Sequence, residues 1–184
     1  MNIYIPVGIS GSGKSTYQKK HLPNIKTICP DDLRKKLTGD CSNMSMNDDV
    51  WMIAYDELST CTIKNKDVYF SSTNLSTKAI QRIFDTVYGY AKNKNNIHFK
   101  ILLMKDSEDE ELCRSRVKAD LDNHIDRSNT LKLVDDLEGN TLDYDYIHKQ
   151  HEEFLIIEKD IYAWRTKIVE DFDFTDISIT EIES

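Results

Sequence analysis

Gly8-Ile9-Ser10-Gly11-Ser12-Gly13-Lys14-Ser15 matches G-x-x-x-x-G-K-[ST] and follows an apolar run, Ile3-Tyr4-Ile5-Pro6-Val7, that reads as a buried strand. Thr16-Tyr17-Gln18-Lys19-Lys20-His21-Leu22 comes next and is compatible with helix. Strand, glycine-rich turn and helix start are the context in which this motif has a mechanism. Glycines at 8, 11 and 13 let the backbone curl so that consecutive N–H groups converge on phosphate oxygens. The helix beginning near Lys14 aims its positive end at the same anion. Lys14 adds a flexible point charge, and the Ser15 hydroxyl suits Mg²⁺. The expected phosphate-binding set is therefore Gly8, Ser10, Gly11, Ser12, Gly13, Lys14, Ser15 and Thr16, with Ser15 as the metal ligand. This pattern implies a nucleoside triphosphate, ATP or another, with Mg²⁺.

The alternation continues downstream. Ile25-Lys26-Thr27-Ile28-Cys29 reads as a short strand stopped by Pro30, and residues 31–37 as a short helix. Asn47-Asp48-Asp49 can cap a longer helix with Val50, Ile53, Ala54 and Leu58 inward. Asp67-Val68-Tyr69-Phe70-Ser71 is a third strand; Ser76 caps a helix with Ile80, Ile83, Phe84, Val87 and Ala91 at core-facing spacing. Residues 97–104 form an apolar strand fit for burial on both faces. Ser107 and Glu110 make a capping-box pattern for a helix through 112–118, and residues 144–157 are again helical. Strand–helix alternation of this kind predicts a parallel sheet covered by helices on both faces, the α/β core of a P-loop kinase. Residues 120–141 turn polar and acidic without a clean period, so a helical lid is expected over about 112–141, within a single domain spanning 1–184 that ends in an extension from about 158.

Bulk properties narrow the partners. With 184 residues, 39% hydrophobic and 30% charged, the chain suits one well-solvated globular domain. A net charge of -8 argues against a broad nucleic-acid-coating surface but allows a small basic groove. The four cysteines, at 29, 41, 61 and 113, form no C-x-x-C pair, and the first strand starts almost at Met1. Reduced thiols and a cytoplasmic location are expected, with no membrane segment. The five histidines lack metal spacing, His148 and His151 being read as surface residues. A homo-oligomer is compatible with the sequence.

A phosphate loop alone leaves motor, switch and kinase open. Asp31-Asp32-Leu33-Arg34 follows the second strand and so belongs at the carboxyl edge of the sheet. A carboxylate there could take the proton of an attacking hydroxyl, and Arg34, three residues on, has the planar fork for a substrate phosphate. The plainer alternative makes Asp31 a helix cap and Arg34 a solvent-facing charge. Thr73 and Asn74, in Ser71-Ser72-Thr73-Asn74-Leu75-Ser76, could bond the acceptor, the metal's waters or the γ-phosphate, or simply form a polar turn. Arg114, Arg116 and Lys118 gather at the entrance to the lid. Arg114 and Lys118 share a helical face and Arg116 does not, so the three are not expected to act together.

The order of these elements resembles the 5′-hydroxyl polynucleotide kinase domain of bacteriophage end-healing enzymes and its wider P-loop kinase family, over roughly the first 155 residues. The resemblance places the family's phosphate loop at Gly8 to Thr16 and its general base at Asp31. It places the arginine that holds the phosphate 3′ to the acceptor nucleotide at Arg34. The strand-end Asp-Thr-Asn-Leu falls on Ser72-Thr73-Asn74-Leu75, with serine where the family has an acid, and the lid arginines fall near Arg114 and Arg116 or Lys118. A closing helix ending in Phe beside an acid has its counterpart at Glu153-Phe154. The implied activity is ATP- and Mg²⁺-dependent phosphorylation of a 5′-hydroxyl on single-stranded or end-exposed DNA or RNA, with Lys14, Asp31, Arg114 and Arg116 catalytic and Asp31, Arg34, Thr73 and Asn74 binding the acceptor. A kinase for a nucleoside, small metabolite or hydroxymethylated base is the nearest alternative, and a nucleotide-dependent switch is one of a different class. Asp171-Phe172-Asp173-Phe174-Thr175 fits the Asp-x-Asp-x-Thr opening of the phosphatase domain found in such enzymes, but only nine residues follow Thr175, so the match is read as chance.

Overall fold

The computed structural model describes residues 1–41, 43–122, 141–172, 174 and 176–183. Five strands form one parallel sheet in the order β2-β3-β1-β4-β5. The central strand, β1 (Asn2–Val7), pairs with β3 (Val68–Phe70) on one side and with β4 (His98–Met104) on the other. Ile3, Ile5 and Val7 are fully buried, as a strand with neighbours on both edges and helices on its faces requires. Next to β3 lies β2 (Lys26–Ile28), and the far edge is β5 (Ile177–Ile182), paired to β4 along its length.

Helices α1 (Lys14–His21), α2 (Pro30–Thr38), α3 (Asn47–Ile63), α4 (Thr77–Tyr90), α5 (Glu110–Asp122) and α6 (Thr141–Phe172) connect and flank the strands. α4 follows its expected pattern: Ser76 accepts the Ala79 N–H, while Ile80, Ile83, Phe84 and Val87 are sealed from solvent. Removing each such side chain from water contributes about 1.5–3 kcal/mol. Phe84 lies at the centre of an aromatic group, with ring centroids 5.1 Å from Phe99, 6.3 Å from Trp164 and 5.7 Å from Phe174.

Three features depart from the sequence reading. The predicted Ser107–Glu110 capping box is replaced by Asp109, whose Oδ1 accepts the Leu112 N–H at 2.9 Å, because the Ser107 hydroxyl is drawn to Ile9 N–H. The helix expected over 144–157 runs to Phe172. Its row Ile147, Phe154, Ile157, Ile161, Trp164 and Ile168 is buried against the core, and Trp164 Nε1 donates to Gln81 Oε1 at 2.7 Å. The C-terminal stretch then supplies β5, which the sequence reading missed, with Arg165 Nε donating to Ile177 O at 2.7 Å at its start. Most of the expected lid, residues 123–140, lies outside the described residues, as do Asp173 and Thr175 of the Asp-x-Asp-x-Thr match. All four cysteines are free thiols. No helix among the described residues is long and apolar enough to cross a membrane.

Candidate active site

The phosphate loop leaves the carboxyl end of β1 and turns into α1 through two left-handed residues, Gly11 at φ 85° and Gly13 at φ 86°. Gly11 is needed twice over: besides its dihedral, a Cβ there would stand 2.3 Å from the Cys113 carbonyl oxygen of α5. The first half of the loop is held from outside. Gly8 N–H donates to Thr73 O at 3.1 Å, Ile9 N–H to Ser107 Oγ at 3.1 Å and Ser10 N–H to Gln150 Oε1 at 2.9 Å. Arg116 Nη1 donates to Gly11 O at 3.2 Å. Lys14 Nζ spans the loop to the Gly8 and Ile9 carbonyls at 2.9 and 2.7 Å. Tyr69 donates its hydroxyl to Lys14 O at 3.0 Å, pinning the first turn of α1, and burial raises its pKa.

Beside the loop lies a cleft of about 880 Å³. Ser10, Gly11, Ser12, Gly13, Lys14, Ser15 and Thr16 form one wall, so the expected phosphate-binding residues share it, except Gly8, which lies beneath the loop. Asp31, Asp32 and Lys35 of α2 form a second wall, and Ser71, Ser72 and Thr73 after β3 a third. Cys29 also lines the cleft, its thiol pushed up to about 11 by burial.

Not every expected acceptor residue faces this space. Arg34 is 3% exposed and turned inward: Nη1 donates to Asp31 Oδ1 at 2.5 Å and to Cys41 O at 3.2 Å, and Nη2 to Asn47 Oδ1 at 3.0 Å. Asn74, at φ 52° and 4% exposed, spends its amide on the carbonyls of Pro6 and Ser72 at 2.8 and 3.2 Å. It braces the ends of β1 and β3.

The cations of α5 divide as their helical spacing predicts. Arg116 lines the cleft and bonds Asp106 Oδ2 at 2.6 Å. Arg114 instead pairs with Glu110, and Lys118 is exposed. Burial would raise Glu110, but hydrogen bonds from His148 and Arg114 hold it below the usual carboxylate range. Sequence reasoning missed Asp106 and Gln150 altogether and gave Ser107 only a capping role. Gln150 had a signal: it occupies the gap between Ile147 and Phe154 in a three–four-spaced apolar row, a core position filled by a polar side chain.

The residues present suit a magnesium nucleotide. The Ser12 hydroxyl is enclosed at the loop without a hydrogen-bond partner among the described residues, and the hydroxyl of Ser15 and the carboxylate of Asp32 supply oxygen donors of the kind a hard cation takes. A parallel sheet with this loop at the carboxyl end of its central strand, facing an acid-bearing helix start, defines a P-loop kinase fold. The chain belongs to the AAA_33 family, an AAA domain, whose model matches residues 3–137. No curated protein matches the chain. Among solved structures, a chain of the Pnkp1/Rnl/Hen1 RNA repair complex is similar at 18% identity and TM-score 0.63, covering 86% of this chain. A chain of a Pnkp1/Rnl/Hen1 complex is 27% identical over 54% of this chain, with TM-score 0.45. A gluconokinase from Sinorhizobium meliloti 1021 is 15% identical, with 88% of this chain and 96% of that one covered and a TM-score of 0.41. This chain spans 45% and 34% of the lengths of the two repair-complex chains.

Proposed function

We propose that this protein is an ATP-dependent kinase that transfers a phosphoryl group to the 5′-hydroxyl end of a DNA or RNA strand. The observation that carries the reading is that Asp31, at the start of the helix after β2, lines the same cleft as the phosphate loop. A hydroxyl bound between them has a base on one side and the donor phosphate on the other. Asp31 orients that hydroxyl and accepts its proton as the new O–P bond forms, while the bond from the γ-phosphorus to the bridging oxygen breaks and ADP leaves. Lys14 releases its loop carbonyls to balance charge on the donor phosphates, and Arg116 is the lid-entrance cation on the cleft. Ser15 would hold Mg²⁺ in part, and the bound ion would supply positive charge against the donor phosphates. The polynucleotide-kinase pattern of Asp31, Asp32 and Arg34 supports a nucleic-acid acceptor. The fold shared with a chain of an RNA repair complex agrees with it.

One feature favours a second reading. Ser72 lines the cleft where the resembled family has an acid, which fits a kinase for a different hydroxyl acceptor. Transfer of labelled γ-phosphate from ATP with Mg²⁺ separates the two. Label on a 5′-hydroxyl oligonucleotide, absent from its 5′-phosphorylated control and from free nucleosides, is the expected result. Equal labelling of nucleosides or of the blocked oligonucleotide overturns the end-specific reading, and no transfer at all overturns the kinase.

A further inference from the structure

We infer that Lys19, with the acid-free wall around it, forms a track for the acceptor strand's backbone beyond its 5′-terminal nucleotide; this rests on the polynucleotide-kinase reading above. The first 30 residues carry four lysines and no acid, although the whole chain has a net charge of -8. The fold gathers that bias on one side of the cleft. α1 contributes Lys14, Ser15, Gln18 and Lys19 to its lining, and β2, an edge strand of the sheet, contributes Thr27. The acids on the cleft are Asp31 and Asp32 of α2 and Asp120 of α5, and none belongs to α1 or β2. The helix dipole accounts for basic residues at the end of α1, where Lys19, Lys20 and His21 stand together. It accounts neither for the missing acids in the rest of the first 30 residues nor for the place of Lys19 on the cleft.

Ser15 and Lys19 are four residues apart and share a helical face, with Lys19 about 6 Å further along the axis from the phosphate loop. A reacting 5′-hydroxyl must point at the donor phosphate, so the rest of its strand leads away from the loop. Along α1 that direction passes Lys19. Among the described residues its ammonium has no hydrogen bond or ion pair, whereas Lys26 is paired with Glu57 at 2.8 Å and Lys35, on the α2 wall, is already engaged within the protein. Lys20 is exposed beside it and adds to the positive field. Lys19 takes a phosphate beyond the one that the resemblance gives to Arg34. An ammonium on a four-carbon stem suits the task, because it follows a flexible backbone as a point charge and does not read the bases. The track therefore favours strands over mononucleotides without choosing a sequence.

The test measures KM for a 5′-hydroxyl oligonucleotide and for a nucleoside 3′-monophosphate, across a salt series, with wild type, Lys19→Ala, Lys19→Arg and Lys159→Ala. Lys159 is exposed on α6 and lies off the cleft, so its variant controls for net charge. Wild type is expected to show the lower KM for the oligonucleotide, with the gap widest at low salt. Lys19→Ala should raise that KM about three- to fivefold at low salt, the scale of one exposed ion contact, and flatten its salt slope by about 0.7. KM for the 3′-monophosphate should not move, and Lys19→Arg should restore the oligonucleotide value. Equal KM for both acceptors in wild type, an unchanged oligonucleotide KM or an equal rise on both acceptors in Lys19→Ala, or the same loss in Lys159→Ala overturns the track. Transfer to neither acceptor overturns the kinase reading itself. Lys19 is exposed, so its variants keep the fold.

Discussion

The Gln150 carboxamide oxygen accepts the Ser10 N–H at 2.9 Å, tying α6 to the phosphate loop across 140 residues of sequence. The next residue reinforces the tie: His151 Nδ1 lies 2.8 Å from Ser107 O, and the Ser107 hydroxyl accepts the Ile9 N–H. Two adjacent loop amides are thus held by groups outside the loop, which sets the backbone that the remaining amides present to phosphate. Gln150→Leu should leave the Ser10 N–H without its acceptor, a cost of about 1–3 kcal/mol. The expected result is weaker Mg-ATP binding by calorimetry, about tenfold, with a Tm lower by a few degrees. Gln150→Glu keeps an acceptor and should retain more of the Tm; unchanged affinity and Tm in Gln150→Leu would remove Gln150 from the loop's assembly.

Asp31→Asn preserves shape and removes the proton acceptor. Turnover on the 5′-hydroxyl oligonucleotide should fall about 10²- to 10⁴-fold, the range for general-base removal, while the Kd for Mg-ATP changes by less than about twofold. Near-normal single-turnover rates would show that the base lies elsewhere.

Gly11→Ala combines a left-handed φ of 85° with a Cβ set 2.3 Å from the Cys113 carbonyl. Backbone, not a flexible side-chain end, must move, so the loop and α5 separate. Loss of detectable ATP binding is expected, with destabilisation on the order of 1–3 kcal/mol in a denaturant titration. Wild-type affinity in this variant would mean the loop rests differently on α5.

Between α5 and α6, His148 Nδ1 and Glu110 Oε2 are 2.9 Å apart, with Glu152 3.7 Å from the other ring nitrogen and Arg114 on the same Glu110 carboxylate. The hydrogen bond to Glu110 raises the His148 pKa above its ordinary 6.5. A raised folded-state pKa gives stability that is full below the unfolded value and is lost as pH rises through the folded one. Wild type should therefore exceed His148→Gln in Tm at pH 6, and the difference should shrink as pH rises through the folded-state value. Glu110 has the opposite sign: its lowered pKa gives stability present above 4.5 and lost as pH falls through the folded value. A pH-independent Tm difference would rule out the ion pair as its source.

Much of the fold was legible because its signals are local. β1, β3 and β4 are near-continuous apolar runs, and α4 shows its cap and its apolar face in a single stretch. β5 was not legible: Ile-Ser-Ile-Thr-Glu-Ile alternates as an edge strand does and reads as polar tail until β4 is beside it. Ser107 shows the same limit in miniature. Its spacing to Glu110 satisfied a capping rule, yet a loop amide 98 residues away claims its hydroxyl.

In the candidate site, Gly11, Gly13, Lys14 and Ser15 could be read from spacing, because a phosphate loop is one short segment whose dihedrals and charges are written in consecutive residues. The chain by itself thus determined the nucleotide-binding turn, the parallel core and the acid that follows β2. Tertiary structure alone decided that Arg34 points inward and Lys35 outward, that Arg116 rather than Arg114 meets the cleft, and that Gln150 holds the loop. Those outcomes depend on which buried acceptors lie within hydrogen-bond reach once distant segments pack, a condition no local pattern encodes.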